Sequence, residues 1–216
     1  AILAIKDLNT LKLLRVARSR ATAWLNAPLG LSVSKTVQTT EPNLESAPLE
    51  AALTLQVRKY VPDTTAPVLK SGILDLHNGY LTLVFDKPVL DTSLVPSGVT
   101  VLSRAVGSSS TLTSHQGVVL TNLTHLAINL TMTDLNAIKM AHRVAALDNI
   151  ILLANSITDL SGNPNAGNNA DSLVALSKVI EDMRPPGLVS FCLDMAHKTI
   201  LLAFDEVVRV DIIRPN

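Results

Sequence analysis

One stretch of this chain is a second copy of an earlier stretch. Residues 67–97 align without a gap on residues 186–216, which lie 119 residues later, and ten of the thirty-one pairs are identical. The shared positions form two apolar runs on either side of a short polar turn. A fixed internal period of this size indicates repeated structural units.

The start of the chain matches a different part of the same unit. Asp7-Leu-Asn-Thr-Leu-Lys12 resembles Asp134-Leu-Asn-Ala-Ile-Lys139. We therefore expect a partial unit over 1–62, a complete unit over 63–181, and a partial unit over 182–216 that holds an opening hairpin. Partial units of this kind would expose strand edges and half a core, so each would need a partner to complete it.

Composition narrows the function classes. Hydrophobic residues make up 47% of the 216 residues and aromatic residues only 3%, so the core is expected to consist of Leu, Val, Ile and Ala. Eighteen basic and eighteen acidic residues cancel, which argues against nucleic acid as a partner.

Apolar runs such as Ile150 to Ala154 are far shorter than the roughly 20 residues that span a bilayer. The chain begins at Ala1 without a charged-then-apolar leader, so a secreted form would already have lost its signal.

Residues that carry enzymatic or metal chemistry show no recognisable spacing. The single cysteine, Cys192, aligns with Ile73 on an apolar strand, which favours a small buried hydrophobe over an intermolecular disulfide. Neither a phosphate-binding loop nor a nucleophile with its base is found, so we expect no enzyme and no cofactor. No zinc-ligand spacing links the histidines, which are His77, His115, His125, His142 and His197.

Alternating apolar residues predict short strands with one helical turn in each unit. Thr133 is predicted to cap a short helix over 134–141, and residues 107–110 are predicted to form a flexible loop. Many short strands with a single helical turn predict an all-β fold of tandem β-sandwich units. The predicted strands of the complete unit are Val68 to Leu76, Tyr80 to Asp86, Val99 to Ser103, Gly117 to Leu120, Leu126 to Met132, Ile150 to Ala154 and Ser172 to Ile180.

These elements resemble the bacterial Ig-like repeat of large surface and fibre-forming proteins. The resemblance rests on four motifs in order, which are Asp63 to Pro67, Leu81 to Phe85, Asp134 to Lys139, and Thr158 to Asn163. It implies tandem Ig-like β-sandwich units, one complete and two partial, with an extracellular or cell-surface location. It implies no common catalytic activity.

Two kinds of surface chemistry stay open. Asn122-Leu-Thr124 and Asn129-Leu-Thr131 match the N-glycan acceptor pattern, which would apply in a eukaryotic secretory source. Carboxylates cluster at predicted turns, where they would cap backbone amides or, less favoured because no Asp-x-Asp-x-Asp series exists, bind calcium. These carboxylates are Asp75, Asp86, Asp91, Asp134, Asp148, Asp159 and Asp171.

The hypothesis that best uses the partial units is assembly by strand donation. Residues 187–209 of one molecule would supply the opening hairpin that residues 1–62 of the next require, which gives a head-to-tail homopolymer. The donated apolar side chains would be Leu188, Leu193, Ile200, Leu202 and Phe204. The receiving core would include Leu3, Ile5, Leu25, Leu53, Leu55 and Val57.

An alternative is a stalk or adhesin module of a longer tandem array that presents a binding tip. The joined domain of the polymer hypothesis would lack about twenty-six residues of the complete unit, because residue 1 aligns near Thr124 and residue 216 aligns on Ser97. Either the composite domain is smaller or the chain is a segment of an array. The sequence leaves both possibilities open.

Overall fold

The computed structural model describes residues 24–25, 55–56, 61–105, 107–122 and 124–208. The chain divides into two compact units, residues 1–65 and residues 66–216, and each is considered by itself. In the first unit the described residues form strands β1 (Trp24–Leu25) and β2 (Leu55–Gln56). The predicted boundary between a complete unit and a hairpin at residues 181 and 182 stays a prediction.

The second unit is mostly β, with one α-helix among its described residues. Its main sheet has eight strands in the order β6-β5-β9-β10-β3-β4-β8-β7, and a separate two-stranded sheet follows. The main strands are β3 (Leu69–Asp75), β4 (Tyr80–Phe85), β5 (Val99–Leu102), β6 (Ser109–Thr111), β7 (Gly117–Asn122), β8 (His125–Asn129), β9 (Asn149–Leu152) and β10 (Val174–Ile180). The two-stranded sheet consists of β11 (Leu188–Asp194) and β12 (Thr199–Phe204).

Strand β10 joins the two halves of the main sheet. Its first residues, Val174 and Ala175, pair antiparallel with β9, whereas the residues from Leu176 onward pair parallel with β3. Inward side chains from strands far apart in the sheet order, such as Val101 of β5 and Ile128 of β8, belong to one hydrophobic cluster. The eight strands therefore curl around a single core.

Alternating apolar side chains of β4 and β8 form much of that core, as the sequence predicts. Leu81, Leu83 and Phe85 of β4 are buried, and so are Leu126 and Ile128 of β8. Successive residues of a strand face opposite sides of the sheet, so this spacing places all of them on the inner face. The fully buried side chains are almost all Leu, Ile and Val, which confirms the expectation drawn from composition.

Helix α1 (Met132–Val144) is longer than predicted, and its cap is a different threonine. The predicted cap, Thr133, lies inside the helix. Thr131 is extended instead, and its hydroxyl accepts a hydrogen bond from the Asp134 amide at 3.0 Å. This pairing of a threonine with the residue three positions later is the usual geometry of a helix N-cap. The strand that is predicted to extend from Leu126 to Met132 ends at Asn129 instead, because the helix begins at Met132.

The predicted flexible loop at residues 107–110 is partly a strand. Ser109 and Ser110 belong to β6, which pairs antiparallel with β5. The hydroxyls of Thr100 and Thr111 lie 2.8 Å apart across this pair, and Ser110 is buried opposite Val101. The prediction was wrong here because serine and glycine suggest a loop, whereas cross-strand pairing decides the structure.

Asp134 ties the start of α1 to the segment that follows β6. Its carboxylate accepts hydrogen bonds from the Thr113 amide, the Thr113 hydroxyl and the Ser114 amide at 2.8 to 3.1 Å, and the residue is 1% exposed. Burial acts to raise the pKa of Asp134, but the hydrogen bonds outweigh burial and lower the pKa below its ordinary value of 3.8. The ionised carboxylate is therefore part of the folded structure.

We predict that Asp134→Ala lowers the free energy of unfolding by roughly 2 to 4 kcal/mol, because it removes a buried carboxylate and the part-buried hydrogen bonds that it accepts from the Thr113 and Ser114 amides. Urea titration measures the loss. Asp171→Ala, at an exposed carboxylate, is the control and should change the value by no more than about 0.5 kcal/mol. Because the folded pKa is depressed, the wild-type advantage should be complete above pH 3.8 and decline below it. Equal stabilities of the two variants at pH 7 would contradict this role.

Candidate assembly site

The β11–β12 hairpin repeats the β3–β4 hairpin residue for residue. Leu69 pairs with Phe85 and Leu74 with Leu81 in the first hairpin, and the residues 119 positions later pair in the same way. Both hairpins also carry the same irregularity after the first pair, between Leu69 and Ser71 and between Leu188 and Ser190. The sequence repeat is therefore a structural repeat with identical register.

The hydrogen bonds that close the two hairpins are also the same. At the base, the Asp86 carboxylate accepts from the Val68 amide at 2.9 Å, and the Asp205 carboxylate accepts from the Gly187 amide at 2.7 Å. At the turn, the Asp75 carboxylate accepts from the Asn78 amide, and Asp194 accepts from the amide of His197 in the same way. The shared aspartates therefore fix the hairpin shape in both copies.

The two hairpins differ sharply in burial. Leu74, Leu81 and Leu83 of the first hairpin have no exposed surface, because strands of both halves of the main sheet cover them. Their counterparts are uncovered: Leu193 is 54% exposed, Ile200 64% and Leu202 40%. Leu188 is also exposed and Phe204 is half-buried. All five predicted donor side chains thus lie on one hairpin whose apolar face is largely open.

The edges of the second hairpin are open as well. In the main sheet, β3 is bonded to β10 on one side and β4 to β8 on the other. The strands β11 and β12 pair only with each other within the described part of the chain. A two-stranded hairpin without further strands or a packed face has marginal stability in water.

Phe191 belongs to the same inner face, and the sequence analysis missed it. It pairs with Leu202 and lies two residues before Leu193, so all three side chains share one side of the hairpin. The corresponding residue of the first hairpin is Gly72, which has no side chain, so the alignment hid the position. Counting back by two from Leu193 would have identified it.

Ionic contacts join the hairpin and its linker to the body of the unit. Lys139 of α1 donates hydrogen bonds to Asp182 at 2.5 Å and to Glu206 at 2.6 Å. The three side chains are 14 to 16% exposed, so solvent screens them less than it screens surface pairs. We call Lys139, Asp182 and Glu206 the clasp. It ties the linker before β11 and the segment after β12 to one helix.

Lys139 and Asp182 of the clasp stay charged over a wide pH range. Partial burial acts to raise the pKa of Asp182, but the hydrogen bonds from Lys139 and from the Arg184 amide outweigh it, and the pKa falls to about 2. The contribution of this pair is therefore present above pH 3.8 and is lost as the pH falls through about 2. Hydrogen bonds to both carboxylates likewise outweigh burial and raise the pKa of Lys139 above 10.5.

Further contacts surround the clasp. The imidazole of His142 lies 3.0 Å from Glu181, and its other nitrogen accepts from the Leu147 amide, so the ring is fixed at both ends. The Arg184 guanidinium donates to the Asn78 side chain at 3.4 Å. Two cavities of about 340 and 270 Å³ flank this region, and both are lined by clasp residues together with Leu76.

The predicted acceptor residues are described only in part. Leu25 and Leu55 lie opposite each other in the β1–β2 pair, whereas Leu3, Ile5, Leu53 and Val57 lie outside the described residues. Leu55 stands 119 positions before Val174, which pairs with Ile150 in the same antiparallel sense. The described backbone of the first unit thus contains one antiparallel strand pair.

The two glycan acceptor patterns occupy different environments. Asn122 is exposed at the last position of β7, beside the turn to β8. Asn129 is half-buried in β8, which is bonded to β4 and β7 on its two sides. Asn122 is therefore the more accessible of the two.

The turn carboxylates mostly cap backbone amides. Asp75, Asp86, Asp91, Asp148 and Asp159 each accept a hydrogen bond from a nearby amide, as Asp134 does. Two of these turn carboxylates, Asp134 and Asp159, are buried. Among the described residues no three His, Cys, Asp or Glu side chains converge as a group that could hold a metal ion.

The comparisons with known proteins do not assign this chain to a family. No family model matches the sequence, and no curated protein matches it. The crystal structure of the S-layer protein rSbsC(31-844) matches with a TM-score of 0.34 and 11% sequence identity, over 63% of this chain and 19% of that chain. The chain thus spans about a fifth of that structure, and a similarity this low assigns neither fold nor function. Among the described residues no helix has the length and apolarity to cross a membrane.

We predict that Lys139→Met leaves the unit folded but loosens the hairpin, because two carboxylates then face each other without a cation. Spin labels on Cys192 and on an introduced Val119→Cys, both at exposed strand positions, would report the distance between hairpin and main sheet. The distance distribution should broaden in Lys139→Met and stay unchanged in the control Lys178→Met, an exposed lysine of β10. Identical distributions in all three proteins would rule out the clasp as the orienting contact.

Proposed function

We propose that the chain is a structural subunit of an extracellular or cell-surface filament, built of Ig-like units and assembled head-to-tail. The β11–β12 hairpin of one copy completes the unit formed by residues 1–62 of the next. The subunit has a scaffolding role and no enzymatic one. One observation carries this proposal: a hairpin that is buried in its first copy is open in its second, with the same register and the same hydrogen bonds.

The open hairpin offers enough apolar surface for durable association. Five large apolar side chains, once buried, contribute on the order of 7 to 15 kcal/mol before the cost of ordering the two partners. The unpaired edges of β11 and β12 add backbone hydrogen bonds, as in other cases where a chain adds strands to a sheet. Because the donating and receiving surfaces are different, the contact is head-to-tail and repeats from copy to copy, which gives an open filament unless the rotation between copies closes a ring.

The β1–β2 pair supports the choice of acceptor. In the complete unit, the strand that continues from the β9 pairing binds β3 in parallel. Leu55 and Gln56 stand 119 positions before Val174 and Ala175, and they pair antiparallel with Leu25 and Trp24. In this proposal, the β1–β2 pair of one copy is part of the surface that covers the hairpin of another.

A second candidate is a stalk or adhesin module in a longer tandem array, where the next residues of the same protein complete the hairpin. The clasp favours this candidate, since a fixed connection between consecutive units suits a stiff spacer. The two candidates differ in molecular mass. A subunit purified from its source near 23.0 kDa, before any glycan, supports the filament, whereas a much larger chain supports the array.

We predict that deletion of residues 187–216 abolishes filament formation. Negative-stain microscopy and sedimentation would show filaments for the full chain and none for the shortened one. The melting temperature of the remaining fold should change little, because the removed face is exposed. Cys192 is exposed on the opposite face of the hairpin, so the expectation that it is buried was wrong. Cys192→Ser is therefore the matched control and should assemble normally. Filaments that persist after the deletion would contradict strand donation, and a full chain that stays monomeric would favour the array.

We further propose that Asn122 carries an N-linked glycan where the source secretes the protein through a eukaryotic pathway. When the chain is expressed through such a pathway, Asn122→Gln should remove a glycan, seen as greater mobility on a denaturing gel. Asn129→Gln should leave the mobility unchanged, because β8 is bonded on both sides. A shift with Asn129→Gln alone would reverse this assignment.

A further inference from the structure

Gly72 fills a place in the first hairpin where the core has no room for a side chain. A Cβ atom added there would overlap the Ile150 side chain and lie 3.1 Å from Leu176 Cδ2 and 3.3 Å from the Thr82 carbonyl oxygen. The crowding comes from β9 and β10, the strands that cover the first hairpin. A methyl group would already strain this site, and a larger side chain would force the strands apart.

The second hairpin carries Phe191 at this position. Its other inner-face residues keep the size and apolar character of their counterparts: Leu188 for Leu69, Leu193 for Leu74, Ile200 for Leu81, Leu202 for Leu83 and Phe204 for Phe85. The change from glycine to phenylalanine is therefore the one large change of shape on a face that is otherwise alike. Phe191 is 69% exposed, so nothing on the described chain receives its ring.

We infer that Phe191 determines which partner the hairpin accepts. The hairpin cannot replace β3–β4 in the complete unit of another copy, because the ring would occupy the space of Ile150 and Leu176. It fits an acceptor that has an apolar pocket at this level, between the strands equivalent to β9 and β10. This inference rests on the proposed function. It adds that Phe191 is the residue by which the hairpin discriminates between the proposed acceptor and the complete unit.

The sequence of the proposed acceptor is compatible with such a pocket. Val57 stands 119 positions before Leu176 and is one carbon shorter. Val57 lies outside the described residues, so this comparison is one of sequence alone. Phenylalanine buries a large apolar area, so filling that pocket would contribute strongly to assembly.

The test measures the critical concentration for filament formation by sedimentation of the full chain. Phe191→Ala and Phe191→Val should each raise the critical concentration at least tenfold. The valine variant keeps a high strand propensity, so an effect in both variants reports the lost ring rather than a weakened strand. Leu201→Thr is the matched control: Leu201 pairs with Cys192 on the opposite face, and its counterpart is Thr82, so the critical concentration should stay within about twofold of wild type.

A second variant, Gly72→Phe, tests whether the complete unit excludes a phenylalanine at this position. Gly72→Phe in the full chain should lower the melting temperature of the complete unit markedly, whereas Phe191→Ala should leave it unchanged. An unchanged melting temperature in Gly72→Phe would overturn the exclusion. If Phe191→Ala and Phe191→Val assemble like wild type while deletion of residues 187–216 abolishes filaments, the role of Phe191 is refuted and strand donation stands. If the deletion has no effect on filaments, strand donation fails and this inference fails with it.

Discussion

The inner face of a repeat's opening hairpin can be buried only by strands that lie much later in the sequence. In the complete unit, Leu74, Leu81 and Leu83 belong to a core that also includes residues of β5, β8 and β9, all of which lie at or after Val99. The hairpin forms by local contacts, but its apolar face gains stability only through long-range ones. Where the hairpin is separated from its covering strands, its apolar face is exposed. The hydrophobic burial that stabilises the complete unit then requires a partner molecule or a further segment of chain.

Two residues of the motif Asp134 to Lys139 hold different parts of the structure together. Asp134 binds the segment after β6 and so closes the unit on itself. Lys139, one and a half helical turns later, binds Asp182 and Glu206 and so connects the unit to the hairpin that follows. Both act through partly or fully buried ionic hydrogen bonds, which hold geometry better than exposed pairs do. The motif therefore couples the folding of one unit to the placement of the next hairpin.

The sequence predicts what alternation and repetition control, and misses what depends on contacts in space. The hairpins, their register and the buried side of β4 follow from period-two alternation and the 119-residue repeat. Residues 107–110 were predicted as a loop because nothing local shows that β5 will pair with β6. The clasp could not be predicted either, since residues 139, 182 and 206 meet only in the fold. Phe191 was hidden for a third reason: its aligned partner is a glycine.

The differences between the two hairpins say more about assembly than their similarities. If both had the same shape, each could occupy either unit, and copies of the chain could exchange hairpins in several ways. Two substitutions break this equivalence. Gly72 becomes Phe191, which changes the shape of the inner face, and Lys87 becomes Glu206, which reverses a charge at the base.

Each substitution has a structural counterpart. Lys87 binds Asp159 within its own unit at 3.2 Å, whereas Glu206 binds Lys139 of the preceding body. The first hairpin is therefore fitted by charge and by shape to the unit that already covers it. The second is held at its base by charge, and its Phe191 ring is exposed among the described residues. A hairpin anchored at its base and unfilled on its face has the properties that a donated element needs.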